Sequence, residues 1–246
     1  IHTEVVANIK SRDELLCLVF FVLSAMPLVR SFDQKKPWLL WVASGCFLLS
    51  LLSKESGVTF ILIFPLLLYF FRNQSVVSAL KSTWVLALPL VLYLIVHTLV
   101  VQDGETALLI YSYQDNSLLS TPNVWSRLAT SFAMILDYFR LLVFPYPLSY
   151  DYSFNQIPVI QFTDPKALLE LVLCLALAFI AIRGFKGRDS LSFSILFFAI
   201  TFSMTSNLVF PIGTSMAERF LFTPSLGFSL ALAFLTERHL LKTSLK

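Results

Sequence analysis

Charged residues are scarce in this 246-residue chain, at 13%, whereas apolar residues make up 57% and the mean hydropathy is +0.78. A soluble domain is usually about half apolar and about a quarter charged. A soluble core of this size has no room for the excess of leucine, phenylalanine and valine. The composition therefore indicates an integral membrane protein with an all-α fold.

The sequence also lacks the residue patterns that mark disulfide frameworks, metal clusters and soluble enzymes. Its three cysteines, Cys17, Cys46 and Cys174, all lie inside apolar runs, where they are typical of small packing residues. It contains no Walker loop, GxGxxG, GxSxG or HExxH motif. Chemistry on soluble nucleotides and binding to nucleic acid are therefore unsupported, and no residue is assigned as a metal ligand.

Long apolar runs recur along the chain, and we interpret them as membrane spans. A spanning helix needs roughly 20 predominantly apolar residues, with some latitude. The pattern predicts seven spans in a polytopic helical bundle, over residues 14–30, 37–53, 56–71, 82–101, 167–182, 190–208 and 220–235.

The basic residues are distributed unequally between the two sets of alternating connections. One set, residues 30–36, 72–81, 183–189 and 238–246, carries 11 of the 18 lysines and arginines. Cytoplasmic loops of membrane proteins are enriched in these residues. We therefore expect this set, including the C-terminus, to be cytoplasmic.

Residues 125–144 form one further apolar stretch, which would reverse the side of every later loop if it crossed the membrane. Its polar residues fall within about half of a helical wheel, which favours an amphipathic helix lying in the membrane interface. We expect one transmembrane domain over residues 1–246, with residues 102–166 as an outer-face segment that contains this helix. The polar half consists of Ser126, Arg127, Thr130, Ser131, Asp137 and Arg140.

Charges of both signs gather at the outer ends of the predicted spans. Charges close to the hydrocarbon are costly and usually face a cavity or one another. Arginine and lysine at such a place can hold a phosphate, and carboxylates can act as general bases or bind a metal. The polar and charged residues of these outer groups are His2, Thr3, Glu4, Lys10, Arg12, Asp13, Glu14, Lys54, Glu55, Asp115, Asn116, Arg127, Asp137, Arg140, Asp151, Glu218 and Arg219.

Simpler structural interpretations exist for several of these charges. Lys54 and Glu55 could form an ordinary interfacial ion pair. Arg12, Asp13 and Glu14 could merely cap the first predicted span, because acids favour a helix N-terminus.

Four local strings resemble segments of the TMTC-type membrane glycosyltransferases and their bacterial relatives. They are IHTEVVANIKSRDE, LLSKESGVTF, RLLVFPYPLSYDYSFNQIPV and SNLVFPIGTSMAERFLFTPSLGF, at residues 1–14, 51–60, 140–159 and 206–228. They occur in the order of the family and extend over most of the chain. The resemblance implies a GT-C fold, with about seven transmembrane helices and one interfacial helix.

The same resemblance implies a glycosyltransferase that takes a sugar from a polyprenyl-phosphate donor. The acceptor, a protein or a glycan, would meet the donor on the periplasmic or lumenal face. The acidic catalytic motif of the family precedes the His-Thr-Glu string, so the catalytic residues are expected upstream of Ile1 and this N-terminally truncated chain lacks that loop. Whether a divalent metal takes part stays open.

Under this resemblance, the candidate residues divide by charge. Lys54, Arg127 and Arg219 would contact the phosphate of the donor. Glu4, Asp13 and Glu55 would form the acidic, supporting side. The predicted substrate-binding set is completed by His2, Asp151 and Glu218.

Two other functions compete with this interpretation. A transporter or flippase usually shows internal repeats and helices broken near the middle of the membrane. A non-catalytic membrane scaffold would show unpatterned polar residues. We favour the enzyme because the charges cluster at one face. The compact loops of the chain resemble those of bacterial relatives, which favours a bacterial inner membrane over the endoplasmic reticulum.

Overall fold

The computed structural model describes residues 2–100, 116–119, 121, 123–149, 152, 156–209 and 211–244, with only the backbone of 241–244. Within these ranges the regular structure is helical, as the composition predicts, and it contains no strand. The α-helices are α1 (Thr3–Ala7), α2 (Arg12–Asp33), α3 (Trp38–Ser53), α4 (Phe60–Phe71), α5 (Val76–Ser82), α6 (Ala87–Val100), α7 (Val124–Val143), α8 (Pro165–Phe185), α9 (Ser190–Ser203) and α10 (Pro224–Ser244). Short 3-10 helices cover Ile9–Ser11, Glu55–Thr59, Trp84–Leu86 and Glu218–Leu221.

Two of the described helices are long and apolar enough to cross a membrane, namely Ile9–Asp33 and Pro165–Phe185. A third would be added if α5 and Trp84–Val100, which meet at a bend of 51°, form one span. The apolar helices α3, Glu55–Phe71 and α9 are shorter than a full bilayer crossing usually requires. A helix lies at each of the seven predicted positions, but the number of seven spans stays a prediction.

Two of the predicted spans, 190–208 and 220–235, have boundaries that differ from the helices of the structure. The span predicted at 82–101 agrees with the helical segment Trp84–Val100, since the 51° bend lies at its start, between Ser82 and Trp84; residue 101 lies outside the described residues. The span predicted at 190–208 ends at Ser203, before Asn207 takes a left-handed φ of 57°. The last span begins at Pro224, which has no N–H to lose at the start of a helix.

The core of the bundle is built from phenylalanines on neighbouring helices. Phe21 of α2 stacks on Phe60 of α4 at 4.0 Å between ring centroids, and Phe47 of α3 meets Phe64 edge-on at 5.1 Å. Serine hydroxyls connect α2 to α3, since Ser24 Oγ donates to the Ala43 carbonyl at 2.7 Å. Small hydroxyl residues at helix interfaces allow close packing and satisfy their own polar group.

An ion pair at each end of α2 shows which connections lie there. The basic connections lie at one end and the segments of mixed charge at the other. At its C-terminal end, Asp33 pairs with Arg72 of the next basic connection at 2.7 Å. At its N-terminal end, Asp13 pairs with Lys54 at 3.1 Å. A helix of this length spans about 33 Å. Basic and mixed-charge segments thus lie at opposite ends of the bundle, which is the arrangement that the charge pattern requires.

Helix α7 confirms the predicted helix at 125–144 within a residue at each end, but the environment of its polar side differs from the expectation. Ser126, Thr130 and Ser131 are buried against the protein. Thr130 Oγ1 accepts from the Ile160 N–H at 3.0 Å, and Ser131 Oγ donates to the Asn207 carbonyl at 3.1 Å. The small polar residues therefore satisfy backbone groups of neighbouring loops instead of facing water.

Gly227 allows α10 to approach α9 closely. A Cβ added there would lie 2.8 Å from the Ser194 carbonyl oxygen and 2.9 Å from the Phe198 nitrogen. We expect Gly227→Ala to lower the free energy of unfolding by about 1–3 kcal/mol, since backbone atoms would have to move. Thermal unfolding of the purified protein in detergent, followed by tryptophan fluorescence, measures this.

Gly45→Ala is the matched control, because a Cβ at Gly45 of α3 would meet nothing within 4 Å. That exchange should leave stability unchanged or raise it by about 0.5–1 kcal/mol through better helix propensity. Equal destabilisation by both exchanges would contradict the close packing of α9 and α10.

Candidate functional site

A cleft of about 490 Å³ opens at the end of the bundle where α2 begins. Four segments line it: the start of α2, the connection between α3 and α4, the loop after α9, and the 3-10 helix before α10. We call it the outer cleft. Its lining residues are Lys10, Ser11, Asp13, Lys54, Glu55, Ser56, Met204, Thr205, Ile212, Gly213, Thr214, Arg219 and Phe220.

Lys54 is the most enclosed charge of the outer cleft. It ends α3 in an extended conformation, which turns its side chain back towards the start of α2. Its Nζ lies 2.8 Å from Glu14 Oε1 and 3.1 Å from Asp13 Oδ2, and its side chain is 12% exposed. Burial alone lowers the pKa of Lys54, but the two carboxylates outweigh it and raise the pKa above its ordinary value. The lysine is therefore a fixed cation held by two acids.

Arg219 is the second cation of the outer cleft, and Glu4 holds it from two directions. Arg219 Nη1 lies 2.7 Å from Glu4 Oε1, and the Arg219 backbone N–H donates to Glu4 Oε2 at 3.0 Å. The Glu4 side chain is 10% exposed and that of Arg219 is 31% exposed. Among the described residues, no other group hydrogen-bonds the guanidinium, and its carbon lies 5.3 Å from the centre of the Phe220 ring.

Glu218, the neighbour of Arg219, faces a different part of the protein. Its buried Oε1 accepts from the Ser149 N–H at 2.6 Å and from the Tyr152 hydroxyl at 3.0 Å. Burial and the hydrogen bond to Glu218 raise the pKa of Tyr152 to about 12. Glu218 thus anchors the segment after α7, through Ser149 and Tyr152, to the bundle. It does not line the outer cleft.

His2 lies beside the outer cleft without lining it. Its Nε2 is 2.9 Å from Ser225 Oγ, and its ring meets that of Phe222 edge-on. Burial lowers the pKa of His2 from its ordinary value. These contacts dock α1 onto the start of α10.

The other predicted site residues divide into those at the cleft and those elsewhere. Glu55 is exposed and lines the cleft beside Asp13. Arg127 is partly buried on α7 and does not line it. Asp151 and Asp115 lie outside the described residues. The structure therefore brings Asp13, Lys54, Glu55 and Arg219 together, with Glu4 immediately behind.

Sequence reasoning placed Glu14 and Asn116 in the outer groups, but it missed the pairing of Glu14 with Lys54 and the role of Asn207. Glu14 was placed in the first outer group, with helix capping as the simpler interpretation; the structure shows it buried and in closer contact with the lysine than Asp13 is. The ion pair proposed between Lys54 and Glu55 does not form; Lys54 pairs across the helices instead. The sequence indicates this pairing only through two adjacent acids, Asp13 and Glu14, at the start of one apolar run and a single lysine, Lys54, after the next run.

Asn116 and Asn207 join the outer segment to the loop after α9. Asn116 Nδ2 donates to the Ile212 carbonyl at 2.7 Å and to Asn207 Oδ1 at 3.2 Å. Asn207 Nδ2 donates to the Ser215 carbonyl at 2.9 Å. Both asparagines are almost fully buried. This network shapes the wall of the outer cleft that contains Ile212. The sequence singled out Asn116, whereas the only signal for Asn207 was its place after an apolar run.

The outer cleft holds charged pairs, but its carboxylates do not form a metal-binding set. Among the described residues, no three histidine, cysteine, aspartate or glutamate side chains lie close enough to share an ion. The arrangement can instead provide cationic donors for an anion on one wall and carboxylate acceptors for hydroxyl groups on the other.

The cluster of Lys54, Asp13 and Glu14 generates a stability prediction. Lys54→Met leaves two carboxylates without their cation, and breaking a buried pair typically costs about 3–5 kcal/mol. We expect the double variant Lys54→Met/Glu14→Met to lose less than the sum of the two single variants, because fewer uncompensated charges remain. Thermal unfolding in detergent measures all three.

Lys10→Met is the control for that series, because Lys10 also lines the outer cleft but is exposed. It should change stability by no more than about 0.5 kcal/mol. Strict additivity of the Lys54 and Glu14 exchanges would show that the ammonium and the carboxylate do not interact.

Comparison with known proteins reveals similarity to one family. The family model described as "Protein O-mannosyl-transferase TMTC, DUF1736" matches residues 105–178. A protein O-mannosyl-transferase of Caenorhabditis elegans is 29% identical over 97% of this chain and 33% of its own length. Human TMTC3 is 27% identical over 95% of this chain and 28% of its own length, and human TMTC4 is 28% identical over 95% and 36%.

The chain thus spans about a third of the length of these curated relatives. They come from animals, so they lend no support to the predicted bacterial inner membrane. A comparison with solved structures gave no significant match. The resemblance seen in the four sequence strings is confirmed: this chain is similar, over nearly its whole length, to the TMTC protein O-mannosyl-transferases.

Proposed function

We propose that this chain forms the donor-binding part of a membrane glycosyltransferase that uses a polyprenyl-phosphate sugar. The observation that carries the proposal is that Lys54 and Arg219, far apart in sequence, line one cleft at the end of the bundle opposite the basic connections. An anionic lipid carrier needs a cationic site near the membrane surface. The names of the relatives add mannose as the sugar and a protein as the acceptor.

The two cations of the outer cleft have different roles in this proposal. Arg219 is the principal phosphate contact, because a guanidinium presents several donors in a planar fork that suits phosphate oxygens. Lys54 already has two carboxylate partners, so it acts mainly by holding Asp13 and Glu14 in place. This revises the sequence prediction, which gave both residues the same role.

The carboxylates of Asp13 and Glu55 form the other wall of the proposed donor site. Carboxylate oxygens accept hydrogen bonds from hydroxyl groups, which a sugar carries in abundance. Glu4 supports the site indirectly, by fixing Arg219 from behind. Direct donor contacts by Arg127 and Asp151 stay predictions, as does the catalytic acid expected in a preceding loop.

In the membrane, we propose seven spans with the outer cleft on the non-cytoplasmic side and the C-terminus in the cytoplasm. Residues 102–166 would lie on the outer face as part of a single transmembrane domain with a GT-C fold. Trp125 and Phe144, at the two ends of α7, are 70% and 65% exposed, and aromatic residues favour the membrane interface. Because the relatives are animal proteins, we propose the endoplasmic reticulum membrane, with the cleft facing the lumen.

Two features favour a transporter instead. The bend of 51° between α5 and Trp84–Val100 is of the kind that breaks transporter helices, and Glu170 is a buried acid within α8. Transporter sites, however, lie near the middle of the membrane, whereas the cleft here lies at the helix ends. We therefore keep the glycosyltransferase, and a sugar-transfer assay separates the two functions.

Arg219→Gln tests the donor site in the full-length protein. Loss of a charge-assisted hydrogen bond costs about 1.5–3 kcal/mol, so we expect sugar transfer to fall roughly tenfold to hundredfold. The measurement is transfer from a radiolabelled polyprenyl-phosphate mannose in membranes, normalised to the amount of folded protein.

Arg72→Gln is the matched control for this variant. It removes an arginine–carboxylate pair of the same 2.7 Å length at the opposite end of the bundle. Its transfer rate should stay within about twofold of the wild type. If both variants transfer equally well, Arg219 is not part of the donor site.

The proposed orientation predicts which positions react with a membrane-impermeant thiol reagent. In a variant with its three cysteines replaced by serine, a cysteine at Glu55 should react only from the lumenal side. A cysteine at Lys186, in the connection between α8 and α9, should react only from the cytoplasmic side. Both positions are exposed, so access depends on sidedness alone. Reaction of both positions from one side would refute the topology.

A further inference from the structure

A second cleft, of about 730 Å³, lies at the opposite end of the bundle from the outer cleft. It is formed by the C-terminal turns of α8, the connection to α9 and the polar end of α10. We call it the inner cleft. Its charged lining consists of Arg183, Arg188, Arg238 and Asp189, which is three guanidinium groups against one carboxylate.

The single carboxylate of the inner cleft is already engaged twice. Asp189 Oδ1 accepts from the Leu191 N–H at 3.1 Å, which caps α9, and lies 2.8 Å from Arg238 Nη2. Arg183 is exposed and makes no ion pair with a described residue. An anion entering the inner cleft would therefore meet an excess of positive charge.

Two contacts hold the Arg188 side chain at the wall of the inner cleft. Its Nη2 donates to the Gln74 carbonyl at 2.9 Å, and its guanidinium carbon lies 5.0 Å from the centre of the Tyr69 ring. Its φ of 51° is left-handed, a conformation that favours glycine and is costly for other residues. The guanidinium is therefore fixed at the inner cleft on a backbone conformation that is costly for an arginine.

One wall of the inner cleft is apolar. Phe179 and Ile180 line it, and Phe179 is 63% exposed. An exposed apolar stripe along one side of α8 leads directly to Arg183. Its members recur at helical spacing and are Leu168, Leu169, Val172, Leu175, Phe179 and Ile182.

From this combination we propose that the inner cleft binds an anionic phospholipid of the surrounding bilayer. Its phosphate would lie among the guanidinium groups of Arg183, Arg188 and Arg238. Its acyl chains would run along the apolar stripe of α8. Basic pockets between helices near the cytoplasmic surface suit such headgroups. A free anion would use only the arginines and would gain nothing from the stripe.

The test compares lipids and variants by thermal unfolding of the purified full-length protein in detergent. Phosphatidylglycerol should raise the unfolding temperature of the wild type, whereas phosphatidylcholine at the same concentration should raise it clearly less. Arg183→Gln and Arg238→Gln should each weaken the apparent affinity for phosphatidylglycerol about fivefold. Lys81→Gln is the control, since it removes an exposed charge from the same end without lining the cleft.

Arg183→Gln tests the proposal even if Arg238→Gln folds poorly. Arg183 makes no ion pair with a described residue, so its exchange should leave the fold intact. Unchanged phosphatidylglycerol affinity in Arg183→Gln would overturn the proposal. So would equal stabilisation by phosphatidylcholine, or an equal shift caused by inorganic phosphate alone. Sugar transfer plays no part in the measurement, so its outcome is independent of the proposed glycosyltransferase function.

Discussion

The protonated Lys54, enclosed by Asp13 and Glu14, is the contact on which the outer end of this bundle depends. A charge so close to hydrocarbon is expensive unless it is paired, and removing either partner leaves the other exposed to that cost. The triad therefore fixes where α3 must end relative to the start of α2. The same register aligns Phe21 and Phe47 with the rings of α4 and holds one wall of the outer cleft in place.

Hydropathy located the helices well because burial in lipid demands long apolar runs, and those are visible in any window of the sequence. Hydropathy did not locate the end of α9, where the helix stops before the apolar run does. Asn207 lies in the loop after Ser203, where its amide donates to a surrounding carbonyl, yet a single asparagine hardly changes the mean hydropathy of the residues around it. The helical wheel of α7 likewise revealed a polar face but not whether protein or water would cover it.

The charge pattern predicted which end of the bundle holds the candidate site, but not which charges pair there. Neighbours in sequence point in different directions across a tight turn, so Lys54 reaches Glu14 of another helix and not Glu55. Glu218 and Arg219 show the same effect within a 3-10 helix, where successive residues lie about 120° apart. One contacts the outer segment and the other contacts Glu4. Such pairings depend on packing between distant segments, which no local pattern contains.

Glu4 and Arg219 are separated by 215 positions along the chain, and their ion pair has a consequence for biosynthesis. The ribosome must synthesise almost the entire bundle before the arginine exists to meet the glutamate. Throughout insertion the early helices thus carry a carboxylate whose cation has not yet been made. Until then, water or a chaperone must accommodate that charge, and a nascent chain stalled before α10 would leave the outer cleft open on one side.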